Sequence, residues 1–400
     1  MSQAPSDAAA WRSIFTISFL VGMFAVAVGG TPVLLGVLLT RQGVASSVIG
    51  ISAACSPLGL IASSFVIPWA AERFGAVRIG VASCLLGLAA MAAMALVPEP
   101  ILWIAARLLW GLSVGGFYIV NKAWLAQITP SGRRGRVFGI YTSFLSAGFA
   151  CGPLLVSLAD FRSPHCFALL GAAFVACALG VLLVGKRLPD FCGTARAPVL
   201  GAIPLIPAAL LAAASFGAFD HASLAFLPRF GAAHGVSTAI MGIGLSVLNV
   251  GNVVLQPPIG WASDRWGRRA VMVVCALLTV LGGGALPWVI DAPTPLLYLF
   301  LFVWGACAYG TTTVALAAIG DRFTGAQLLS CSAAMTMAGG FGGVAGSSAI
   351  GVLQDAFGTH AFPRAIILIF VALAAVAARS MRSRGLDALP ALSPAAERAR

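Results

Sequence analysis

The chain has 400 residues, of which 60% are hydrophobic and 9% charged, and a formal net charge of +12. Its mean hydropathy of +0.99 excludes a water-soluble domain, and repeated apolar stretches of about 20 residues point to transmembrane helices. The positive charge does not mark a nucleic-acid surface, because the basic residues sit in short connections between apolar runs, as membrane topology requires.

In chain order, the opening MSQAPSDAAAWRS carries little positive charge and leads into an apolar run too long for a signal peptide, so that run reads as a first, retained span. Spans are expected at 13–38, 47–70, 77–97, 100–122, 136–158, 165–185, 203–227, 239–261, 270–290, 294–319, 327–353 and 362–379. Lipid offers no hydrogen bonds, so each span satisfies its own backbone as a helix or joins a closed barrel. These runs are continuously apolar rather than alternating, which selects helices and an all-α integral membrane fold. Nine cysteines (Cys55, Cys84, Cys151, Cys166, Cys177, Cys192, Cys275, Cys307 and Cys331) form no CxxC pair and read as small apolar residues.

Twelve spans put both termini on one side. On that side fall eighteen Lys and Arg residues, in the loops around Arg73, Arg133, Lys186, Arg265 and Arg322 and at both ends of the chain; Arg41, Arg162, Arg229 and Arg364 fall on the other. Eighteen against four predicts cytoplasmic termini and a multi-pass protein of the bacterial inner membrane.

The chain also repeats itself. WAAERFG at 69–75 aligns with WASDRWG at 261–267 at an offset of 192, and Trp110-Gly111, Gly148 and Gly152 align with Trp304-Gly305, Gly342 and Gly346 at an offset of 194. Two parallel six-helix copies follow: an N-terminal half over 1–185 and a C-terminal half over 203–380. A basic linker rich in Pro and Gly, 186–202, joins them, and a cytoplasmic tail spans 381–400. Parallel six-helix halves form a transporter architecture with its solute site near the midplane.

At this point the chain resembles the major facilitator superfamily. Gly260-Trp-Ala-Ser-Asp264-Arg265-Trp-Gly267-Arg268-Arg269 is similar to the family's loop motif G-x-x-x-D-R-x-G-R-[RK]. Its first-half copy is degraded, with Pro68, Glu72 and Ala76-Val77 at the leading glycine, the aspartate and the basic pair. Arg107-Leu-Leu-Trp-Gly111 resembles the span-4 motif, and Gly148-Phe-Ala-Cys-Gly152-Pro153 the span-5 motif without its usual following glycines. Residues 121–141, NKAWLAQITPSGRRGRVFGIY, further resemble the uncharacterised bacterial YcaD-like branch.

The candidate site residues fall into three groups. As topology anchors, Asp264, Arg265, Arg268 and Arg269 hold their loop in the cytoplasm. The resemblance implies a conformational latch in addition, with Asp264 meeting a helix N-terminus or an Arg in one state, and with Glu72 and Arg73 as a weaker second copy. Within the membrane, Arg107 lies about 10 Å deep in span 4, where an unpaired charge is costly. Asp220 is the one carboxylate well inside a span, seven residues from the outer end of span 7 and beside His221. Spans 4 and 7 line the family's central cavity, so an Asp220–Arg107 pair across the halves is a candidate for proton coupling, with His221 beside it; a structural ion pair or an outward-facing Asp220 are the bland alternatives. Asn249, Asn252 and Gln256 share one face of span 8 at i, i+3, i+7 and either glue helices or line the cavity. Tyr118 and Asn121 share the face of Arg107, whereas Lys122 is expected to snorkel towards the cytoplasm. The glycines of spans 5 and 11, Gly148, Gly152 and Gly342 among them, suit close helix packing.

No P-loop, no HExxH and no His cluster at metal-ligand spacing occurs, so no cofactor, metal or enzymatic activity is expected. The reading is a monomeric, proton-coupled secondary transporter that exports small, partly apolar solutes by alternating access. Proton-linked uptake, facilitated diffusion, and a transport-dead receptor or scaffold are the alternatives.

Overall fold

A computed structural model describes residues 7–42, 46–97, 99–130, 132–158, 165–185, 188–189 and 198–382. Six long helices form the first half: α1 (Asp7–Arg41), α2 (Ser46–Phe74), α3 (Ala76–Leu96), α4 (Pro100–Ile128), α5 (Arg134–Leu158) and α6 (His165–Gly185). A short helix, α7 (Val199–Ala202), closes the described part of the linker; most of 186–197 and the tail beyond 382 lie outside the described residues. The second half comprises α8 (Pro207–Ala233), α9 (Thr238–Trp266), α10 (Arg268–Val289), α11 (Thr294–Arg322), α12 (Gly325–Phe357) and α13 (Ala361–Arg382). All twelve expected spans are therefore present as helices. Eleven are long and apolar enough to cross a membrane; α2, with 29 residues, is about 43 Å long, also enough.

The ends differ from the sequence reading, because helices run past the apolar segments into the flanking polar layer. Span 7 shows the largest difference. Proline at 204 and 207 delays its start to Pro207, and the helix continues through Pro228 to Ala233.

The internal repeat is realised in the packing of small residues. A Cβ added at Gly148 would strike the carbonyl oxygen of Gly22, and one at Gly342 the carbonyl oxygen of Ala214. Gly111 meets Ser56 as Gly305 meets Leu248, and Gly59 meets Leu108 as Gly251 meets Phe302. Each second pair follows from the first by the offsets of 192 and 194. So α1 packs on α5 as α8 packs on α12, and α2 on α4 as α9 on α11, at backbone-to-backbone distances that only glycine permits. Gly152 seats against Val26 in the same way, and Pro153 lies inside α5 next to that contact.

Two glycines carry a further constraint. Gly75 (φ 88) and Gly267 (φ 93) are the one-residue turns between α2 and α3 and between α9 and α10. A positive φ is open to glycine and strained for other residues, which accounts for the glycine of both loop-motif copies. An aromatic cluster centres each half. Phe24 stacks on Phe117 with centroids 4.1 Å apart and meets Phe174 edge-on, while Phe219 meets Trp304, Tyr309 and Phe370 edge-on. Bulky apolar side chains such as Leu183 and Ile101 face outward, as a lipid-facing surface requires.

Candidate functional site

The start of α1, the end of α13 and most of the described basic residues lie at one end of the bundle, called here the basic end. The two halves are sealed together from this end to mid-depth. At the rim, the Asp264 carboxylate accepts hydrogen bonds from the backbone N–H groups of Gly135 (2.7 Å) and Arg136 (2.8 Å). These are among the first N–H groups of α5, which have no partner inside their own helix, and the positive end of the helix dipole favours the negative charge there. Gly260, the leading glycine of the loop motif, lies so close to Gly135 that neither has room for a Cβ. Arg268 bonds Asp264 and Ser263, and reaches Asp321 at 2.9 Å; Asp321 also pairs with Arg134 at 3.2 Å. Arg134 belongs to the first half and the others to the second, so the network ties the halves together. Asp321 and Arg134 were not singled out from the sequence; they lie outside the loop motif and meet it only in the fold. Arg265 points elsewhere, over the Trp261 ring at 5.7 Å, and Arg269 is half-buried at the start of α10. Glu72 is half-buried and Arg73 exposed at the end of α2, in the equivalent place of the first half.

Deeper in, three contacts join α5 to α9 and α11. Ser143 donates to the Val253 carbonyl at 2.5 Å, Asn252 Nδ2 donates to Ser146 Oγ at 2.5 Å, and the Thr313 hydroxyl lies 3.1 Å from that of Thr142. Gln256 is fully buried, donating to the Ala306 carbonyl at 3.1 Å and accepting from Thr313 at 2.7 Å. Asn252 and Gln256 thus act as helix glue in this state. Asn249 is half-buried and donates to its own helix, at the Leu245 carbonyl. On the other side of the bundle, Gly340 of α12 nests against Leu60 and Ile61 in the middle of α2. Neither α1 nor α2 packs extensively on α8, and the contacts named between α5 and α9 run from the basic end to the middle of both helices.

Asp220 lies midway along α8. It is thirteen residues from each end of α8, about 20 Å from either, and not near an outer end, because α8 extends six residues past the expected boundary. The Tyr309 hydroxyl of α11 donates to Asp220 Oδ1 at 2.6 Å. His221 Nδ1 is 3.9 Å from Asp220 Oδ2 and 3.0 Å from the Gly217 carbonyl; the His221 side chain is 48% accessible and that of Asp220 29%.

The expected Asp220–Arg107 pair does not form. Arg107 is buried seven residues into α4, about half as deep as Asp220, and its Nη1 donates to Ser52 of α2 within the same half at 3.0 Å; its Nε has no hydrogen-bond partner. A second expectation also fails. Lys122 does not snorkel to the basic end; its Nζ donates to Thr336 of α12 in the other half at 3.2 Å. Side chains on a helix lean towards its N-terminus. The N-terminus of α4 lies at the opposite end of the bundle, so Lys122 leans towards the centre. Tyr118 lies one turn further from the basic end, with the Nζ 6.0 Å from its ring centroid, and Asn121 Nδ2 donates to the Phe117 carbonyl at 2.7 Å.

No group of three or more His, Cys, Asp or Glu fit to hold a metal occurs among the described residues, and the described cysteines are all free.

Two parallel six-helix halves, sealed at one end around a polar centre, define a membrane transporter. The family model of the Major Facilitator Superfamily matches residues 13–243 and 205–384; the chain belongs to this superfamily and is a multi-pass membrane transporter, not an enzyme. It is 25% identical over 233 residues to the uncharacterized MFS-type transporter YfkF of Bacillus subtilis, a match spanning 56% of this chain and 55% of that one. To the uncharacterized MFS-type transporter YcaD of Escherichia coli it is 24% identical, over 68% of this chain and 69% of that one. The fold is shared with the human organic anion transporter MFSD10 (TM-score 0.74, 14% identity, 92% of this chain and 99% of that one). It is also shared with the fucose:proton symporter FucP of E. coli (TM-score 0.71, 14% identity, 91% and 98%).

Proposed function

We propose that the protein is a monomeric, proton-coupled secondary transporter of the bacterial inner membrane, exporting a small, partly apolar solute. The observation that carries this reading is Asp220: among the described residues the one carboxylate at mid-depth, partly accessible and hydrogen-bonded from α8 to α11. Tyr309, not Arg107, is its partner. A carboxylate there takes a proton from one side and releases it to the other as one half rocks against the other. Eighteen basic residues against four support cytoplasmic termini, and with that orientation the structure is the outward-facing state. Asp264, held by the α5 N-terminus and Arg268, is the latch of that state, and Arg134 and Asp321 extend it. Export as the direction rests on the likeness of Gly148–Pro153 to the span-5 motif of drug/proton antiporters.

The test compares a deletion strain with strains overexpressing the wild type or Asp220→Asn, in a screen of drugs and metabolites. A solute whose retention falls only with the wild type, and rises again when the proton gradient is collapsed, supports proton-coupled export. Equal export by the Asp220→Asn protein would overturn the role given to Asp220, and solute accumulation on overexpression would reverse the direction.

A further inference from the structure

Among the described residues, Lys122 makes no ion pair with a carboxylate. Its Nζ has one hydrogen-bond partner, the Thr336 hydroxyl on the opposing half, which itself donates to the Ser332 carbonyl at 2.9 Å. An ammonium group deep in a bundle is costly unless a counter-charge reaches it, and this one retains two unmet donors.

The surroundings repeat the pattern. Tyr118 and Tyr141 are both buried, and their hydroxyls have no hydrogen-bond partner among the described residues. Ser332 Oγ, one turn before Thr336 on α12, is also buried without a partner. Buried polar groups in native proteins are almost always satisfied, and those left over call for an explanation. The Lys122 ammonium joins α4 to α12 across the two halves, with the Tyr118 ring centroid 6.0 Å away, and what it lacks is an acceptor carrying negative charge. Lys122 also keeps some accessible surface. Arg107 belongs to a different place, fifteen residues away on α4 or about 22 Å, and bonded within its own half.

We propose that Lys122, at the contact between the halves, is the anion-binding group of the solute pathway, and that the solute is a small organic monoanion with an apolar body. One cation matches one negative charge. The aromatic faces of Tyr118 and of Phe24, which it meets edge-on, suit a hydrocarbon or aromatic remainder. The anion takes the place of Thr336 as partner of Lys122. Binding therefore loosens a tie between the halves, which links loading to the change of state. This inference rests on the transporter reading above and names its substrate class.

The test uses purified full-length protein in neutral detergent with three probes of one shape and different charge, namely benzoate, benzamide and benzylamine, and with hexanoate as an aliphatic acid. Thermal shift titrations give apparent affinities. A charged hydrogen bond is stronger than a neutral one by an amount that corresponds to about 10-fold in affinity. So benzoate or hexanoate binds the wild type at least about 10-fold more tightly than the amide or the amine. Lys122→Gln abolishes that preference, and Lys122→Arg keeps it. In addition, Lys122→Met raises the Tm of the ligand-free protein, because it removes an uncompensated charge, whereas a lysine serving only as a tie between halves predicts a fall. No preference for the carboxylates in the wild type, the same preference in Lys122→Gln, or a lowered Tm in Lys122→Met overturns the proposal. Failure of the transporter reading is seen separately in cells, as no drug or metabolite whose retention differs between the deletion strain and the strain overexpressing the wild type.

Discussion

Replacing Asp264 with Asn tests how the basic end is held shut. The carboxylate accepts two backbone N–H groups from the start of α5, at 2.7 and 2.8 Å, and an Arg268 guanidinium, with 7% of its side chain accessible. Asparagine keeps the shape and one acceptor oxygen but loses the charge. The loss is that of one charge-assisted hydrogen bond, about 1.5–3 kcal/mol, in line with the upper end for a carboxylate at a helix N-terminus. Asp264 is buried this way only while the halves are closed, so most of the loss falls on the closed state. Each 1.4 kcal/mol is a factor of ten, so the ratio of closed to open basic ends drops by about 10- to 150-fold. If about 1% of molecules have the basic end open in the wild type, about 10–60% should in the variant. The assay is a pair of spin labels at exposed positions on the two halves, Arg78 and Gln327, on a cysteine-free background, with the distance distribution read by pulsed dipolar spectroscopy. A longer-distance population should appear in Asp264→Asn. An unchanged distribution with normal insertion would leave the loop as a topology anchor and refute the latch.

Other consequences follow from the same contacts. Gly267→Ala and Gly75→Ala place a Cβ on a backbone at φ near 90° and should each destabilise the protein by about 1–3 kcal/mol, seen as a lower Tm. Gly148→Val and Gly342→Val should both destabilise by at least about 1–3 kcal/mol, since a backbone carbonyl stands in the way at each. Gly284→Ala on α10 meets nothing within 4 Å and should leave Tm unchanged or raise it slightly. A double-mutant cycle on Ser146→Ala and Asn252→Leu should give a coupling of about 0.6 kcal/mol, the usual size for a hydrogen bond between membrane helices; a coupling indistinguishable from zero would remove that contact from the seal.

The fold was legible because its rules act on segments rather than on single side chains. Continuous apolar runs fix the number of helices, and the offsets of 192 and 194 relate glycine contacts in one half to those in the other. The loop motif was legible for the same reason. Gly267 is set by the turn, Gly260 by the approach of α5, and Asp264 by the orphan N–H groups that any helix start presents. What was missed depends on tertiary placement. Asp321 and Arg134 are distant in sequence and meet at the rim only once both halves have folded. The depth of Asp220 was misjudged because α8 continues past Pro228, which removes the geometric basis for pairing with Arg107. The direction of Lys122 was in principle accessible, since the lean of side chains towards a helix N-terminus sends it inward once the polarity of α4 is known.

The most direct measurement of the central claim is solute flux in proteoliposomes under an imposed pH gradient, comparing wild type with Asp220→Asn. The account predicts that the wild type moves solute uphill against the proton flow, while Asp220→Asn loses uphill movement and retains exchange of solute for solute. Undiminished uphill transport by Asp220→Asn would contradict it.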